Sequence, residues 1–314
     1  MKTSIVTTLY MSEDYVCEFV ERARAAAQRL SDEYEIILVN DGSPDKAGEL
    51  ARELASAAPD LVFVDLTRNF GHHPAMLEGV FQASGDQVFM IDSDLEEDPA
   101  WLDLFAERMR NENADIVIGV QRERKGNWFE QVSGHAFYAL HSRFADAPYA
   151  PNETTARLMS RRFVEALRLF PERDVCFSSL CNLAGFRQAV ITVDKLASSP
   201  TTYTMTRKLS LFVDTFTGYS TAPLKAIFYI GLAISLISGV GLVWLLLNWF
   251  FERDTLDGWT SLMMSIWFIG GVLVLSIGTI GWYVGKMLNE LKQRPRTLIR
   301  DIVRQGQKGQ DAHD

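Results

Sequence analysis

Two carboxylates one residue apart stand at the end of an apolar run in this 314-residue chain. Residues 88–91 are Val-Phe-Met-Ile, and Asp92, Ser93 and Asp94 follow at once. Buried central strands of parallel sheets read as such runs, and ligands of open α/β sheets bind beyond the carboxyl ends of the strands. Hard oxygen ligands at that place suit Mg²⁺ or Mn²⁺, which would hold a substrate diphosphate. An acidic loop after a strand is the plain alternative, because Asp-x-Asp is common by chance.

Polar residues also follow three earlier strand-like segments, and together they predict a binding cleft at one sheet edge. They are Tyr10, Ser12, Glu13, Asp14, Asn40, Asp41, Gly42, Ser43, Arg68, Asn69, Phe70, Gly71, His72 and His73. The sequence contains neither a Walker phosphate loop nor a Rossmann dinucleotide fingerprint, which favours a nucleotide bound through metal and carboxylates. The two adjacent histidines could ligate a metal, but ordinary hydrogen-bonded loop histidines are the favoured interpretation.

The elements that must position these residues alternate along the first ~120 residues. Strand patterns cover 5–9, 35–40, 61–66, 87–91 and 115–119, and helical patterns cover 14–30, 46–58, 74–83 and 99–113. Such alternation predicts βαβ units, hence an α/β domain with a Rossmann-like, mostly parallel sheet and helices on both faces. Further on, 128–144 and 161–170 look helical, and 186–193 looks like another strand.

Two uncharged runs, 226–251 and 258–285, predict a pair of transmembrane helices. Each would extend roughly 39–42 Å as a helix, enough to cross a ~30 Å hydrocarbon core. Two buried helices of a soluble protein are the alternative. Apolar side chains share one helical face of 206–219, which favours an interfacial helix over a core-facing one. Lysine and arginine flank the runs, so both flanks are predicted to be cytoplasmic and the short link 252–257 external.

Charge and cysteine content limit the class of binding partner and the cellular compartment that the sequence predicts. The net charge is −9, but the segment from Lys286 onward has seven Lys/Arg against four Asp/Glu, a net +3. The acidic N-terminal part argues against nucleic acid, and a basic segment after an apolar run suits a membrane surface. Three cysteines make no disulfide framework, and no signal peptide is evident, so the first domain is predicted to stay in the cytoplasm.

In combination, these motifs resemble the family-2 glycosyltransferases with a GT-A domain. More narrowly, they are similar to the branch of dolichyl-phosphate mannose synthase and bacterial polyprenyl-phosphate glycosyltransferases. The segments that carry the resemblance are Tyr10, Asn40-Asp41-Gly42-Ser43, Arg68-Asn69-Phe70-Gly71, Asp92-Ser93-Asp94-Leu95-Glu96-Glu97-Asp98-Pro99, Arg157-Leu158-Met159-Ser160-Arg161 and Ser220-Thr221-Ala222-Pro223-Leu224. The resemblance implies a cytoplasmic GT-A catalytic domain at 1–205, a juxtamembrane amphipathic helix at 206–223, a two-helix anchor within 224–285, and a basic cytoplasmic tail at 286–314.

The resemblance also implies roles for individual residues. The nucleotide-binding positions would be Thr8, Tyr10, Glu13, Asp41, Asn69, Asp92 and Ser93. Asp92 and Asp94 would act through Mg²⁺ or Mn²⁺ on the sugar diphosphate, with Glu96 beside the metal or the sugar. The candidates for the acceptor phosphate, where a planar guanidinium suits bidentate contact, are Arg122, Arg124 and Arg157. The residues implied in catalysis are Asp94, Glu96 and Arg157; solvated surface arginines are the alternative for Arg122 and Arg124.

The implied activity is transfer of one sugar, with inversion, from a nucleotide diphosphate sugar to polyprenyl phosphate. A UDP-sugar donor, an undecaprenyl acceptor, the bacterial inner membrane and a homotetramer are part of this expectation. Several positions depart from the family pattern. Among them, Asn40 stands where many relatives have Asp, and Thr155 replaces a carboxylate sometimes proposed as the base. Glu153 is then the nearest fallback base. These departures motivate an alternative, a catalytically weak scaffold subunit that binds nucleotide sugar. A processive polysaccharide synthase is disfavoured because its Gln-x-x-Arg-Trp motif is missing.

Overall fold

The computed structural model describes residues 1–121, 152–172, 176–195 and 258–305, with single positions between 224 and 240. These residues fall into two compact units, one holding the whole sheet and the other holding the long C-terminal helix. The predicted helices at 128–144 and 206–219, most of the first apolar run, the tail beyond Gln305, and Arg122 and Arg124 lie outside the described residues.

The sheet unit alternates strands and helices as the hydrophobic pattern predicts. Its strands are β1 (Thr3–Leu9), β2 (Tyr34–Asn40), β3 (Leu61–Leu66), β4 (Gln87–Met90), β5 (Ile116–Gln121), β6 (Glu153–Ser160), β7 (Gln188–Val193) and β8 (Ile299–Arg304). Its helices are α1 (Val16–Leu30), α2 (Ala47–Ala57), α3 (His72–Gln82), α4 (Trp101–Glu112), α5 (Arg161–Leu167) and α6 (Phe177–Leu183). The five strands and four helices predicted before residue 120 are confirmed to within about two residues at each end.

The eight strands form one mixed sheet in the order β7-β5-β6-β4-β1-β2-β3-β8. Its centre, β4-β1-β2-β3, is parallel throughout, as predicted. β6 runs antiparallel between β4 and β5, and β8 runs antiparallel along β3. β7 pairs in parallel with β5, so its carboxyl end lies at the same edge as those of the four central strands.

Two apolar clusters cover the two faces of the sheet. One packs α1, α2 and α4 against side chains such as Ile5, Leu38 and Phe89. The other packs α3, α5 and α6 against side chains such as Val6, Val39 and Met90. Alternate residues of the same central strands therefore face opposite clusters, which is why these strands read as unbroken apolar runs.

The long helix of the second unit, α7 (Trp259–Leu291), contains the second predicted span. Its 23-residue segment Ile269–Leu291 is long and apolar enough to cross a membrane, and the structure buries none of it. Among the described residues this is the one helix with those properties, so the predicted two-helix anchor is not confirmed.

Strand β8 is the main departure from the pattern analysis, which predicts a basic tail at that point. Its Ile302 packs on one face of the sheet and its Val303 on the other. Asp301 Oδ2 lies 2.6 Å from Arg52 Nη1 of α2. The sequence Ile-Arg-Asp-Ile-Val-Arg carries three charges in six residues, and a strand is not evident from it until β3 is available as a partner.

Removing β8 tests its contribution to the sheet. Truncation after Leu298 removes β8. It should lower the free energy of unfolding of the sheet unit by at least about 2 kcal/mol, because the apolar packing that Ile302 and Val303 make on the sheet is lost. Truncation after Gln305, which leaves β8 intact, is the matched control. Thermal unfolding and limited proteolysis of the detergent-solubilised protein measure the difference. Equal melting temperatures for the two truncated proteins would contradict this role.

Candidate active site

The structure brings the predicted cleft residues to one edge of the sheet, beyond the carboxyl ends of β4, β1, β2 and β3. The predicted nucleotide and metal positions at this edge are Thr8, Tyr10, Glu13, Asp41, Asn69, Asp92, Ser93 and Asp94. Tyr10 is half exposed, so its ring is accessible at the cleft. These residues therefore lie where ligands bind in open α/β sheets, and the Tyr10 ring is exposed there.

Asp41 fixes the loop that follows β3. Its two carboxylate oxygens accept hydrogen bonds from the backbone N–H groups of Phe70, at 2.7 Å, and Gly71, at 3.0 Å. Burial raises the pKa of Asp41, although both N–H groups act in the opposite direction. Gly42 has φ +61°, and a Cβ there would lie 2.5 Å from the Asn69 nitrogen, so only glycine permits this approach. The loops after β2 and β3 are thus one interlocked element.

His72 links the end of β1 to the acidic pair. Its Nδ1 lies 3.2 Å from the Thr8 hydroxyl, and its Nε2 lies 3.3 Å from Asp92 Oδ1. The Ser93 hydroxyl donates to the Thr8 carbonyl oxygen at 2.9 Å. His72, the first residue of α3, is therefore hydrogen-bonded to Thr8, and its imidazole lies beside Asp92.

The acidic loop turns back on itself directly after Asp94. Leu95 adopts φ +59°, a left-handed conformation that a branched side chain rarely takes. The turn lets the Glu96 N–H donate to Asp94 Oδ1 at 3.0 Å. Burial raises the pKa of Asp94, and repulsion from Asp92 adds to the shift. The acidic loop therefore holds Asp92 and Asp94 close enough to repel each other.

Glu97 is fully buried and joins three elements of the site. Its Oε1 accepts the Thr155 N–H from β6 at 3.0 Å and lies 3.2 Å from Lys195 Nζ, just beyond β7. Its Oε2 is buried without a hydrogen-bond partner in the described part of the chain. Burial raises the pKa of Glu97 to about 7, with repulsion from Asp92 in the same direction. Lys195 also lies 3.6 Å from Glu96 Oε2.

The raised pKa of Glu97 predicts a pH dependence of stability. Between pH 4.5, its ordinary pKa, and about 7, the folded state keeps a proton that the unfolded state has lost. The free energy of unfolding should therefore fall by roughly 1–3 kcal/mol as pH rises through this window. Glu97→Gln cannot titrate and should flatten that slope, whereas Glu107→Gln on the exposed side of α4 should retain it. Identical slopes of chemical unfolding against pH in both variants would show that Glu97 titrates normally.

Arg157 lies inside the sheet unit instead of facing solvent. Its side chain is 3 % exposed, and Nη2 lies 2.6 Å from both Glu153 Oε2 and the Ser178 hydroxyl. The guanidinium also stands 5.5 Å from the centre of the Phe177 ring. Arg157 is therefore paired with Glu153 inside the sheet unit, and its Nε is buried without a hydrogen-bond partner among the described residues.

The structure explains Asn40, one of the departures from the family pattern, by its contact with Asp65. Its amide donates to Asp65 Oδ1 at 2.8 Å, and its Oδ1 accepts the Ser43 N–H at 3.0 Å. Asp65 is buried and also accepts from Arg300 at 3.2 Å. An aspartate at position 40 would place two carboxylates against each other, so the amide is required by Asp65.

This pairing can be tested by exchanging the two groups. Asn40→Asp should lower the free energy of unfolding at pH 7 by about 1–3 kcal/mol, because a donor is replaced by a second carboxylate. The double variant Asn40→Asp/Asp65→Asn restores one donor and one acceptor and should recover most of that loss. Asp65→Asn alone completes the cycle, measured by chemical unfolding. Additive losses in the double variant would rule out the direct bond as the cause.

The donor set fits a divalent cation. Asp92 and Asp94 offer hard oxygen ligands, and their mutual repulsion is what a cation would relieve. Within the described ranges there is no group of three or more His, Cys, Asp or Glu side chains arranged to hold a metal. Mg²⁺ commonly binds through one or two carboxylates and substrate phosphates, so two protein ligands suffice when a diphosphate is bound.

Two residues of this site, the buried Glu97 and Lys195, are not assigned a role from the sequence, and the pairing of His72 with Asp92 is not predicted either. Glu97 reads as one of several loop acids, because nothing in the acidic run distinguishes the buried carboxylate from the others. Lys195 follows β7 by two residues, so the rule that predicts the other site residues applies to it as well. It could have been found only if the place of β7 in the sheet were known.

Comparison with known proteins identifies the family of this chain. The model of the family described as glycosyl transferase family 2 matches residues 4–191. A Mycobacterium tuberculosis protein whose name assigns it to the glycosyltransferases is 44 % identical over 302 residues, covering 96 % of this chain and 88 % of its own. The bactoprenol glucosyl transferase of Shigella phage SfII is 30 % identical over 303 residues, covering 96 % and 98 %.

Among solved structures, the fold is shared with glucosyl-3-phosphoglycerate synthase from Mycobacterium tuberculosis, crystallised with Mn²⁺, UDP and phosphoglyceric acid. The TM-score is 0.50 at 19 % identity, over 69 % of this chain and 78 % of that one. This similarity concerns the fold, a mixed α/β sheet of GT-A type. The family match covers more than half of the chain, and the chain therefore belongs to glycosyl transferase family 2.

Proposed function

We propose that this chain transfers a single sugar from a nucleotide diphosphate sugar to polyprenyl phosphate, with undecaprenyl phosphate as the acceptor. The observation that carries the proposal is the acidic pair Asp92 and Asp94 at the carboxyl end of β4, beside β1. Relatives that align along 96 % or more of this chain are named bactoprenol glucosyl transferases, which favours a lipid acceptor and makes glucose the first sugar to test.

On the donor side, Asp92 and Asp94 would hold Mg²⁺ or Mn²⁺, with Glu96 beside them. That cation would offset the charge that grows on the leaving diphosphate. The exposed Tyr10 ring and the loop fixed by Asp41 are suited to a nucleotide base, and a UDP-sugar is the donor we propose. Thr8, Glu13, Asn69 and Ser93 would line the nucleotide region.

On the acceptor side, the nucleophile needs positioning more than deprotonation. A phosphate monoester has a second pKa of about 6, so near neutral pH its oxygen is already ionised. That oxygen would attack the anomeric carbon in line with the departing diphosphate. The new C–O bond would form as the old one breaks, with inversion. The absence of a carboxylate at Thr155 is compatible with such a reaction, because no acceptor proton has to be removed.

The membrane is part of the proposal. Helix α7 would cross the bacterial inner membrane together with the apolar run 226–251, with both termini on the cytoplasmic side. Arg122 and Arg124, outside the described residues, stay candidates for the acceptor phosphate, and Arg157 does so if Glu153 releases it. A homotetramer is proposed from family resemblance.

A catalytically weak scaffold subunit is the second candidate, motivated by Asn40 and Thr155. The hydrogen bond from Asn40 to Asp65 gives Asn40 a structural reason, so Thr155 alone still supports this second candidate. The two candidates differ in one measurable property, product formation by the purified protein.

The test is transfer of labelled sugar into an organic-soluble product by detergent-solubilised protein. Undecaprenyl phosphate is the acceptor, and UDP-glucose, UDP-N-acetylglucosamine and other nucleotide sugars are the donors. Asp94→Asn should lower turnover at least ~100-fold, since one charged ligand is lost while the side-chain shape is kept, and excess chelator should do the same to the wild type. Asp103→Asn on exposed α4 is the matched control and should retain activity. Full turnover in excess chelator, or no product with any donor, would contradict the proposal.

A further inference from the structure

Lys195 is placed among carboxylates, although it lies about one hundred residues further along the chain. Its ammonium group is 3.2 Å from Glu97 Oε1 and 3.6 Å from Glu96 Oε2, and its side chain is 22 % exposed. Burial alone would lower the pKa of Lys195, but Glu97, Asp92 and Asp94 raise it above its ordinary value. The lysine is therefore charged and feels the field of the same carboxylates that would hold the metal.

We infer that Lys195 is an internal counter-ion of the acidic loop that makes binding of a divalent cation depend on the nucleotide diphosphate. The inference deepens the proposed function and rests on its assignment of Asp92 and Asp94 as metal ligands. Lys195 acts here as a positioning residue, because it works through the charge of the loop and not by contact with the metal.

The anchoring of Lys195 is what makes it a resident cation instead of a mobile surface lysine. Glu97 is fully buried, and its Oε1 is fixed from the other side by the Thr155 N–H. Among the described residues Lys195 is the one cation within ion-pair distance of Glu97, and the pair is mostly shielded from water. The positive charge is thus held beside the loop whether or not a ligand is bound.

A resident cation reduces the attraction of the loop for a second cation. Four carboxylates lie in the segment 92–97, while Lys195 and the imidazole of His72 face them from neighbouring elements. Repulsion between Lys195 and an incoming Mn²⁺ falls off only as the inverse of their distance, so it acts across the few ångströms of this site.

The substrate diphosphate is expected to supply the metal ligands that the protein side chains do not. Asp92 and Asp94 alone leave most coordination positions of a six-coordinate cation open, and no third side chain of the described residues joins them as a ligand group. Diphosphate oxygens would complete the coordination, and their negative charge would compensate Lys195. Metal and nucleotide sugar are therefore expected to bind as a pair.

Binding of Mn²⁺ to the full-length protein in detergent tests this without an activity assay. Electron paramagnetic resonance measures free Mn²⁺ during titration, with and without UDP. For the wild type, we expect weak binding of Mn²⁺ alone and at least ~10-fold tighter binding with UDP. Lys195→Met should bind Mn²⁺ alone at least ~10-fold tighter than the wild type, and UDP should add less.

The controls separate loss of charge from loss of structure. Lys195→Arg keeps the charge and should keep the weak binding of Mn²⁺ alone. Lys2→Met removes a comparable pair with Glu35, 2.9 Å apart at the opposite edge of the sheet, and should behave as the wild type. Asp94→Asn added to Lys195→Met should abolish the gain, which locates it at this loop.

Two results would overturn the inference, and they are distinguishable. If the wild type transfers sugar and binds Mn²⁺ with UDP, but Lys195→Met binds Mn²⁺ alone no tighter, the counter-ion role fails while the proposed function stands. If no variant binds Mn²⁺ even with UDP, the metal assignment in the proposed function fails as well.

Discussion

Carboxylates gathered at one edge of a sheet repel one another, and the architecture of this site follows from that constraint. Each of these acids, buried or partly buried, has a polar partner of its own. Asp41 has two backbone N–H groups, Asp92 has His72, and Asp94 has the Glu96 N–H. Glu97 has the Thr155 N–H and Lys195. The donors come from the loop after β3, from the acidic loop itself, from β6 and from beyond β7. The site is therefore assembled from nearly the full width of the sheet.

This dependence explains why the parts of the fold differ in how well the sequence predicts them. Central strands such as β1 and β2 are buried on both faces and therefore read as apolar runs, and their helices show regular spacing. Polar residues at the ends of those strands identify the cleft by topology alone. Strand β6 is different, because it buries Arg157 and Glu153 as an ion pair. A buried charged pair resembles a solvated surface in a hydrophobic pattern, so the strand is not apparent from the sequence.

Strand β8 and Lys195 escape prediction for a second reason, which is distance along the chain. Each can be recognised only when its partner, far away in sequence, is known. The partner is β3 for the strand and Glu97 for the lysine. Hydrophobic periodicity describes neighbours within a turn or a strand and carries no information about such pairs. The same limit applies to Asn40, which resembles a lost catalytic acid until Asp65 is seen next to it.

Strand β8 also imposes an order on the biogenesis of this protein. The ribosome completes residues 299–304 only after it has synthesised all of α7, so the edge of β3 stays open throughout synthesis of the apolar segment. An open strand edge is a template for aggregation. The sheet is thus completed by a strand that is synthesised after the apolar segment, and a chain arrested before residue 299 exposes that edge to proteases and chaperones. Synthesis through β8 is therefore a condition for a complete sheet.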